Sequence, residues 1–277
     1  MKIKIKIIIP IAVVVIVITA IGVGAQPDSY NRQDLEALST ESQERSASWT
    51  EELERVLFES EEKDPRAHNL ENLTEAASKE LFAFFIQNQE YGIEPDQDAY
   101  LDLIEKLIDE IDIPEILFNK SDIKTTTAVD QESLRKYAQE MGRVITENSP
   151  QSEHEMDIYL EAMDKNNRIR LADLNIIIKG YNKIISEALD VSVPESALEI
   201  HLEVLNSMKR TQHNISDLTY SFIDPLRGLY GIRNYFAGAD KMYKAFINVA
   251  EYFDEQGISF ERGEHGWHFT YMQDLEI

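Results

Sequence analysis

Residues able to do chemistry gather most densely near the end of the chain, where Glu261, Glu264, His265 and His268 put two carboxylates and two imidazoles within eight residues. Carboxylate oxygen and imidazole nitrogen together suit Zn²⁺ or a similar ion. Gly263 and Gly266 loosen the local backbone enough for the four side chains to converge. They are the candidate metal site, and the competing expectation is plain polar surface on a terminal hairpin. The interleaved Trp267, Phe269 and Tyr271 are expected to pack rather than to bind a sugar.

Other local patterns begin like known sites and then break. His154-Glu155 opens like a zinc-protease helix, but Ile158 stands where the second histidine is needed one turn later. Ser121-Asp122-Ile123-Lys124 has the Ser-x-x-Lys spacing that lets a lysine activate a serine, without the Ser-Asp-Asn and Lys-Thr-Gly companions. In Asp164 to Asn175 the first two ligands of a calcium loop fit. Then Arg168 replaces an oxygen ligand, Ile169 the turn glycine and Asn175 the bidentate glutamate. A phosphate-cradling loop, a nucleophile elbow and a dinucleotide fingerprint are all missing. No catalytic residue and no cofactor is assigned.

Composition narrows the partners. Against 51 acidic residues stand 27 basic ones, for a formal charge of -24. A surface of that sign repels nucleic acid and anionic headgroups, because phosphate binding needs clustered Lys and Arg. Nucleic acid is therefore excluded as a partner. With no cysteine, disulfides and thiolate metal sites are excluded too. Asn-x-Ser/Thr triplets at Asn72, Asn119 and Asn214 matter only in a eukaryotic secretory pathway, and the leader looks bacterial.

That leader is Lys2, Lys4 and Lys6 followed by an uncharged run from Ile7 to Gly24. About 20 apolar residues span a bilayer, so residues 3–24 suffice as a transmembrane anchor. Lysines stay on the cytoplasmic side, which places residues 26–277 outside. The alternative is a signal peptide cleaved after Ala25. The expected localisation is the cytoplasmic membrane, single-pass, with the C-terminal domain outside. In the cleaved case the protein is secreted.

Beyond the leader, residues 26–47 read as a polar spacer and residues 48–277 as an extracytoplasmic domain with a subdomain split near 119–130 or 148–152. Ser48 and Glu51 form a capping box for the first helix of that domain. Helical stripes of apolar residues follow: Leu73 to Phe85, Asp98 to Ile111, and Leu134 to Ile145 behind an Asp130 cap. Ser152 to Met163, Arg168 to Leu189, Pro194 to about Leu218 and Ala239 to Gln256 complete them. Leu171 to Ala188 carries the most continuous stripe and is expected to be the most buried helix. Thr125 to Thr127 suit an extended linker, Asp224-Pro225 suits an N-cap followed by the first helical residue, and Ile258 to Tyr271 allows a short hairpin or a tail packed on the bundle. The fold expected is all-α: an irregular multi-helix bundle with one N-terminal transmembrane or signal helix.

Ser121-Asp122-Ile123, Tyr137, Asp164 to Leu174, Val193-Pro194 with His201-Leu202 and Leu205-Asn206, and Asp224-Pro225 occur in an order that resembles a group of single-anchor, all-helical exported bacterial proteins. The resemblance covers residues 122–269 and implies the helical fold, no particular activity, and an association with secretion or pilus machinery. Taken together, the functional expectation is a membrane-tethered binding or scaffolding protein of an envelope assembly, partnered by envelope proteins. The rival expectation is a helical, metal-dependent extracytoplasmic enzyme using carboxylates from separate helices.

Overall fold

The computed structural model describes residues 72–90 and 97–271, apart from positions 112, 114 and 129. The leader, the spacer and the helix expected from Ser48 lie outside the described residues. Within them run eight helices: α1 (Leu73–Glu90), α2 (Gln97–Asp109), α3 (Gln131–Asn148), α4 (Glu155–Asp164), α5 (Leu174–Asp190), α6 (Leu198–Leu218), α7 (Pro225–Glu255) and α8 (Trp267–Tyr271). The molecule is mostly helical, as the stripes predict. None of these helices is long and apolar enough to cross a membrane.

Caps read from the sequence do the expected work. Asp130 accepts from the Ser133 N–H at 2.8 Å and starts α3, and Asp224 precedes Pro225 at the start of α7. The threonine linker is indeed extended. Two-residue strands β1 (Thr125–Thr126) and β2 (Val193–Pro194) pair in parallel, Thr125 opposite Val193. Pro194 thus ends a strand, and a 3₁₀ turn (Glu195–Ala197) leads into α6. A second 3₁₀ turn (Arg168–Asp173) replaces the first turns of the helix expected from Arg168.

Helices α6 and α7 form the most extensive helix pair. They run antiparallel, because Gly231 meets Asp217 and Leu218 whereas Gly238, further along α7, meets Thr211 and Asn214. A methyl group at Gly231 would stand 3.0 Å from the Asn214 carbonyl oxygen, so glycine sets this close approach. It also explains why α7 continues unbroken from Pro225 through residues 226–238, which the apolar stripe from Ala239 did not include.

One expectation is corrected, and of the two readings for the C-terminal stretch the packed tail is the one present. The most deeply buried helix is α6, not the segment holding α5: α6 buries His201, Ser207, Thr211, Gln212, His213, Asn214, Ser216 and Asp217 beside its leucines. On α5, Ile176 is 54% exposed. The C-terminal stretch forms no hairpin; it holds one isolated bridge between Arg262 and Glu264 and closes in α8. Packing is the reason. Phe260 and Phe269 are buried against Phe253 of α7, which ties both ends of the stretch to the core and leaves no partner strand.

The apolar core has three clusters. The largest joins α3, the end of α5, the first half of α6, the second half of α7 and the C-terminal aromatics. A second joins α4, the Arg168–Asp173 turn, the start of α5, the end of α6 and Tyr235. The third packs α1 and α2 on Leu226 at the start of α7. Its attachment is polar as well as apolar: the Asp224 carboxylate accepts from the N–H groups of Leu73 and Thr74 at 2.8 and 3.0 Å, and from the Thr74 hydroxyl at 2.6 Å.

Candidate functional site

Where the two larger clusters meet, the helices leave a cleft of about 730 Å³. Its floor and walls are Ile177, Tyr181 and Ile184 from α5, Met208 from α6, Met242 and Phe246 from α7, and Phe269 from α8. Ile145 and Thr146 of α3 form one edge. The loop Ser149–His154 and Glu155 form the other. A void of this size is within the usual range for small-molecule sites, roughly 300–1,000 Å³, and its mix of an apolar lining with few polar groups is typical of them.

Close packing of backbone against backbone shapes the edges. At Gly142 an added methyl would lie 2.1 Å from the His265 carbonyl oxygen, so the C-terminal stretch seats directly on α3. At Gly180 it would lie 2.8 Å from the Pro150 ring, so the loop seats on α5. These two contacts fix the lips that carry His268 and His154.

The polar groups of the cleft are concentrated at the start of α4. His154 caps the helix, its Nδ1 accepting from the Met156 N–H at 3.2 Å. Glu155 accepts from the Tyr235 hydroxyl at 2.7 Å. Burial, and then the charge of Glu155, push the Tyr181 hydroxyl above its ordinary pKa. It therefore stays protonated, and it donates a weak bond to the Met242 sulfur at 3.8 Å. Glu153 is joined to Arg170 at 2.9 Å, and Arg170 also binds Glu161 and Asp173.

The structure does not bring the four candidate metal ligands to one point, and no group of three or more His, Asp or Glu side chains converges among the described residues. The Glu264 carboxylate is enclosed by its own neighbours: the Glu261 N–H at 2.7 Å, both oxygens on Arg135 Nη2 at 2.5 and 2.6 Å, and the Gln139 amide at 2.9 Å. The Glu261 N–H and then Arg135 hold this carboxyl below the usual glutamate pKa. His265 Nδ1 lies 3.2 Å from the Thr146 hydroxyl. His268 faces the cleft, and Glu261 is exposed at the turn. The cluster's observed role is to clip the C-terminal stretch onto α3.

The remaining patterns also have structural occupations. Ser121 donates to Asn119 at 2.5 Å while Lys124 pairs with Asp190, so the Ser-x-x-Lys pair does not meet. Asn166 takes a positive φ of 48° before the Arg168–Asp173 turn, and the Asn167 side chain caps that turn. Asn214 is buried on α6, donating to the Asn234 carbonyl at 3.0 Å.

A buried polar row on α6 went unread in the sequence. His201 is fully buried, its Nδ1 3.0 Å from the Tyr137 hydroxyl, and its Nε2 makes no well-formed hydrogen bond. Burial lowers its pKa to about 4, opposed only in part by the Ala188 carbonyl. Asp217 and Arg227 form a buried ion pair at 2.8 Å, with Arg227 stacked 3.6 Å from the Tyr220 ring centre. The linear signal for that pair is weak, since a charge within an apolar stripe reads as an interruption. The cleft had no linear signal at all, because its lining is drawn from six separate elements. Comparisons with protein-family models, with curated proteins and with solved structures gave no match to this chain.

Proposed function

We propose that this chain is a binding protein of the bacterial envelope, tethered at the outer face of the cytoplasmic membrane through residues 3–24, whose helical domain takes a small, largely apolar ligand into the cleft. The single observation carrying the binding half is the 730 Å³ cleft with its lining of Met208, Met242, Phe246 and Tyr181. Burying an apolar ligand there gains about 25 cal/mol per Å² removed from water, and the two methionines adapt to its shape. Support for the tether is the order of lysines, apolar run and acidic domain. Its service to an envelope assembly, of the secretion or pilus kind, rests on the resemblance in residues 122–269. The metal-dependent enzyme has no comparable observation in its favour.

Binding is tested with the neutral fluorophore N-phenyl-1-naphthylamine, added to the full chain in phosphatidylcholine nanodiscs. Wild type gives saturable emission at one probe per chain. Thr146→Trp, which narrows the mouth, and Met242→Arg, which charges the floor, give only the lipid background while keeping wild-type circular dichroism. Emission equal in all three chains contradicts the reading. The tether is tested separately by protease added to intact cells, which removes the domain; a domain digested only after lysis overturns the placement.

A further inference from the structure

The cleft's lining is electrostatically one-sided. It contains no lysine or arginine, and its ionisable members are Glu153, His154, Glu155 and His268. Glu153 is already matched by Arg170. His154 uses Nδ1 as an acceptor for its own helix. That leaves Glu155, whose described partner is the neutral Tyr235 hydroxyl. Asp157 adds a second acid in the same helical turn, and the whole chain carries -24. The N-terminus of α4 offsets part of this charge, by about half an elementary charge.

Tyr181, whose hydroxyl feels the Glu155 charge, lines the same cleft as Phe246 and Phe269. Ring faces attract cations, quaternary ammonium groups above all. The cleft therefore offers an apolar bed with aromatic side chains in its lining, and one carboxylate lacking a cationic side chain there. An anion entering it finds no cationic side chain in the lining, while a neutral ligand leaves Glu155 without a counter-charge. Resting on the binding reading above, we infer that the occupant is a small amphiphile with a single cationic head group. Its apolar body lies against Met208, Met242 and Phe246, and its head sits beside Glu155.

Three probes with the same six-carbon tail separate the possibilities: hexyltrimethylammonium, hexyl sulfate and 1-hexanol. Each is titrated at pH 8 against N-phenyl-1-naphthylamine bound to the full chain in phosphatidylcholine nanodiscs, with the Thr146→Trp chain supplying the lipid background. The ammonium probe displaces the fluorophore at least about tenfold more tightly than the sulfate. In Glu155→Gln, which keeps an acceptor for Tyr235, the two come within about threefold of each other. Glu155→Asp restores the preference. If 1-hexanol competes but the charged probes are equal in wild type, the cation assignment fails and the cleft remains a binding site. If the ammonium preference survives Glu155→Gln, the head group is elsewhere and the inference fails. If the fluorophore never binds, the binding reading itself fails, and with it this one.

Discussion

At the scale of single residues, the side chains that decide most are polar ones inside the helix pair. Asp217 and Arg227 are 0% and 4% exposed at their side chains, so removing either takes a buried counter-charge from the other. Arg227→Met is expected to destabilise the domain by about 3–5 kcal/mol, read from the denaturant midpoint, far beyond an exposed ion pair's worth of ~1 kcal/mol or less. Joint replacement by apolar residues of similar size recovers much of that loss. His201 gives a pH dependence of fixed sign. Its folded pKa of about 4 lies below the ordinary 6.5, so the unfolded chain binds the proton first as pH falls. The contribution is complete above pH 6.5, declines between 6.5 and 4 with a slope of at most about 1.4 kcal/mol per pH unit, and levels off below. His201→Gln flattens that part of the stability curve. An unchanged slope shows that His201 is not the titrating group.

Gly142 acts at the same scale through the space it leaves. Alanine there drives a methyl into the His265 carbonyl, a clash with backbone that cannot rotate away. Loss of about 1–3 kcal/mol is expected, with faster amide exchange at residues 258–269 than in α5 and α6.

Among the elements, one carboxylate serves the starts of both α1 and α7. Asp224 starts α7, where the Arg227 N–H lies 3.3 Å from it, and also takes the first two N–H groups of α1. Losing a helix cap costs about 0.5–2 kcal/mol; here α7 loses its cap and α1 loses the acceptor of its first two N–H groups, keeping Asn72 on the Glu75 N–H. Asp224→Ala is therefore expected to raise hydrogen exchange across residues 73–109 to near-unprotected rates while α3, α5 and α6 keep theirs. Equal loosening throughout would show that α1 and α2 are integral to the core rather than docked on it. This contact joins residues 150 apart, and no local pattern announces it. Asp224-Pro225 was legible as a helix start because cap and proline act within one turn. Its second client was not.

The helices were legible where their burial is apolar. Leu134, Met141 and Val144 mark α3, and Ile177, Ile184 and Ile185 mark α5, by spacing alone. The method misjudged α6 because Ser207, Thr211, Gln212 and Asn214 are buried through their hydrogen bonds and through the glycines of α7, which hydropathy does not register. Spacing left the end of the chain open between a hairpin and a packed tail, because alternating aromatics suit both equally well. What separated them was contact with Phe253, a tertiary fact.

For the molecule as a whole, the architecture is two apolar clusters on one antiparallel helix pair, with a cleft at their junction and a third cluster carrying the chain toward its N-terminal side. Acidity and the missing cysteines were readable from composition and already bound the partners. The cleft was not readable, since Thr146, Glu155, Tyr181, Met208, Met242 and Phe269 come together only in three dimensions. The central claim is that this cleft binds. Carbon-13 methyl labelling of methionine tests it most directly, because Met208 and Met242 line the cleft while Met141 is buried on α3 and Met163 sits at the end of α4. Titration of the full chain with N-phenyl-1-naphthylamine is expected to shift the Met208 and Met242 methyl signals together along one saturable curve, leaving Met141 and Met163 in place. Signals that stay put, or that all drift without saturation, would contradict the account.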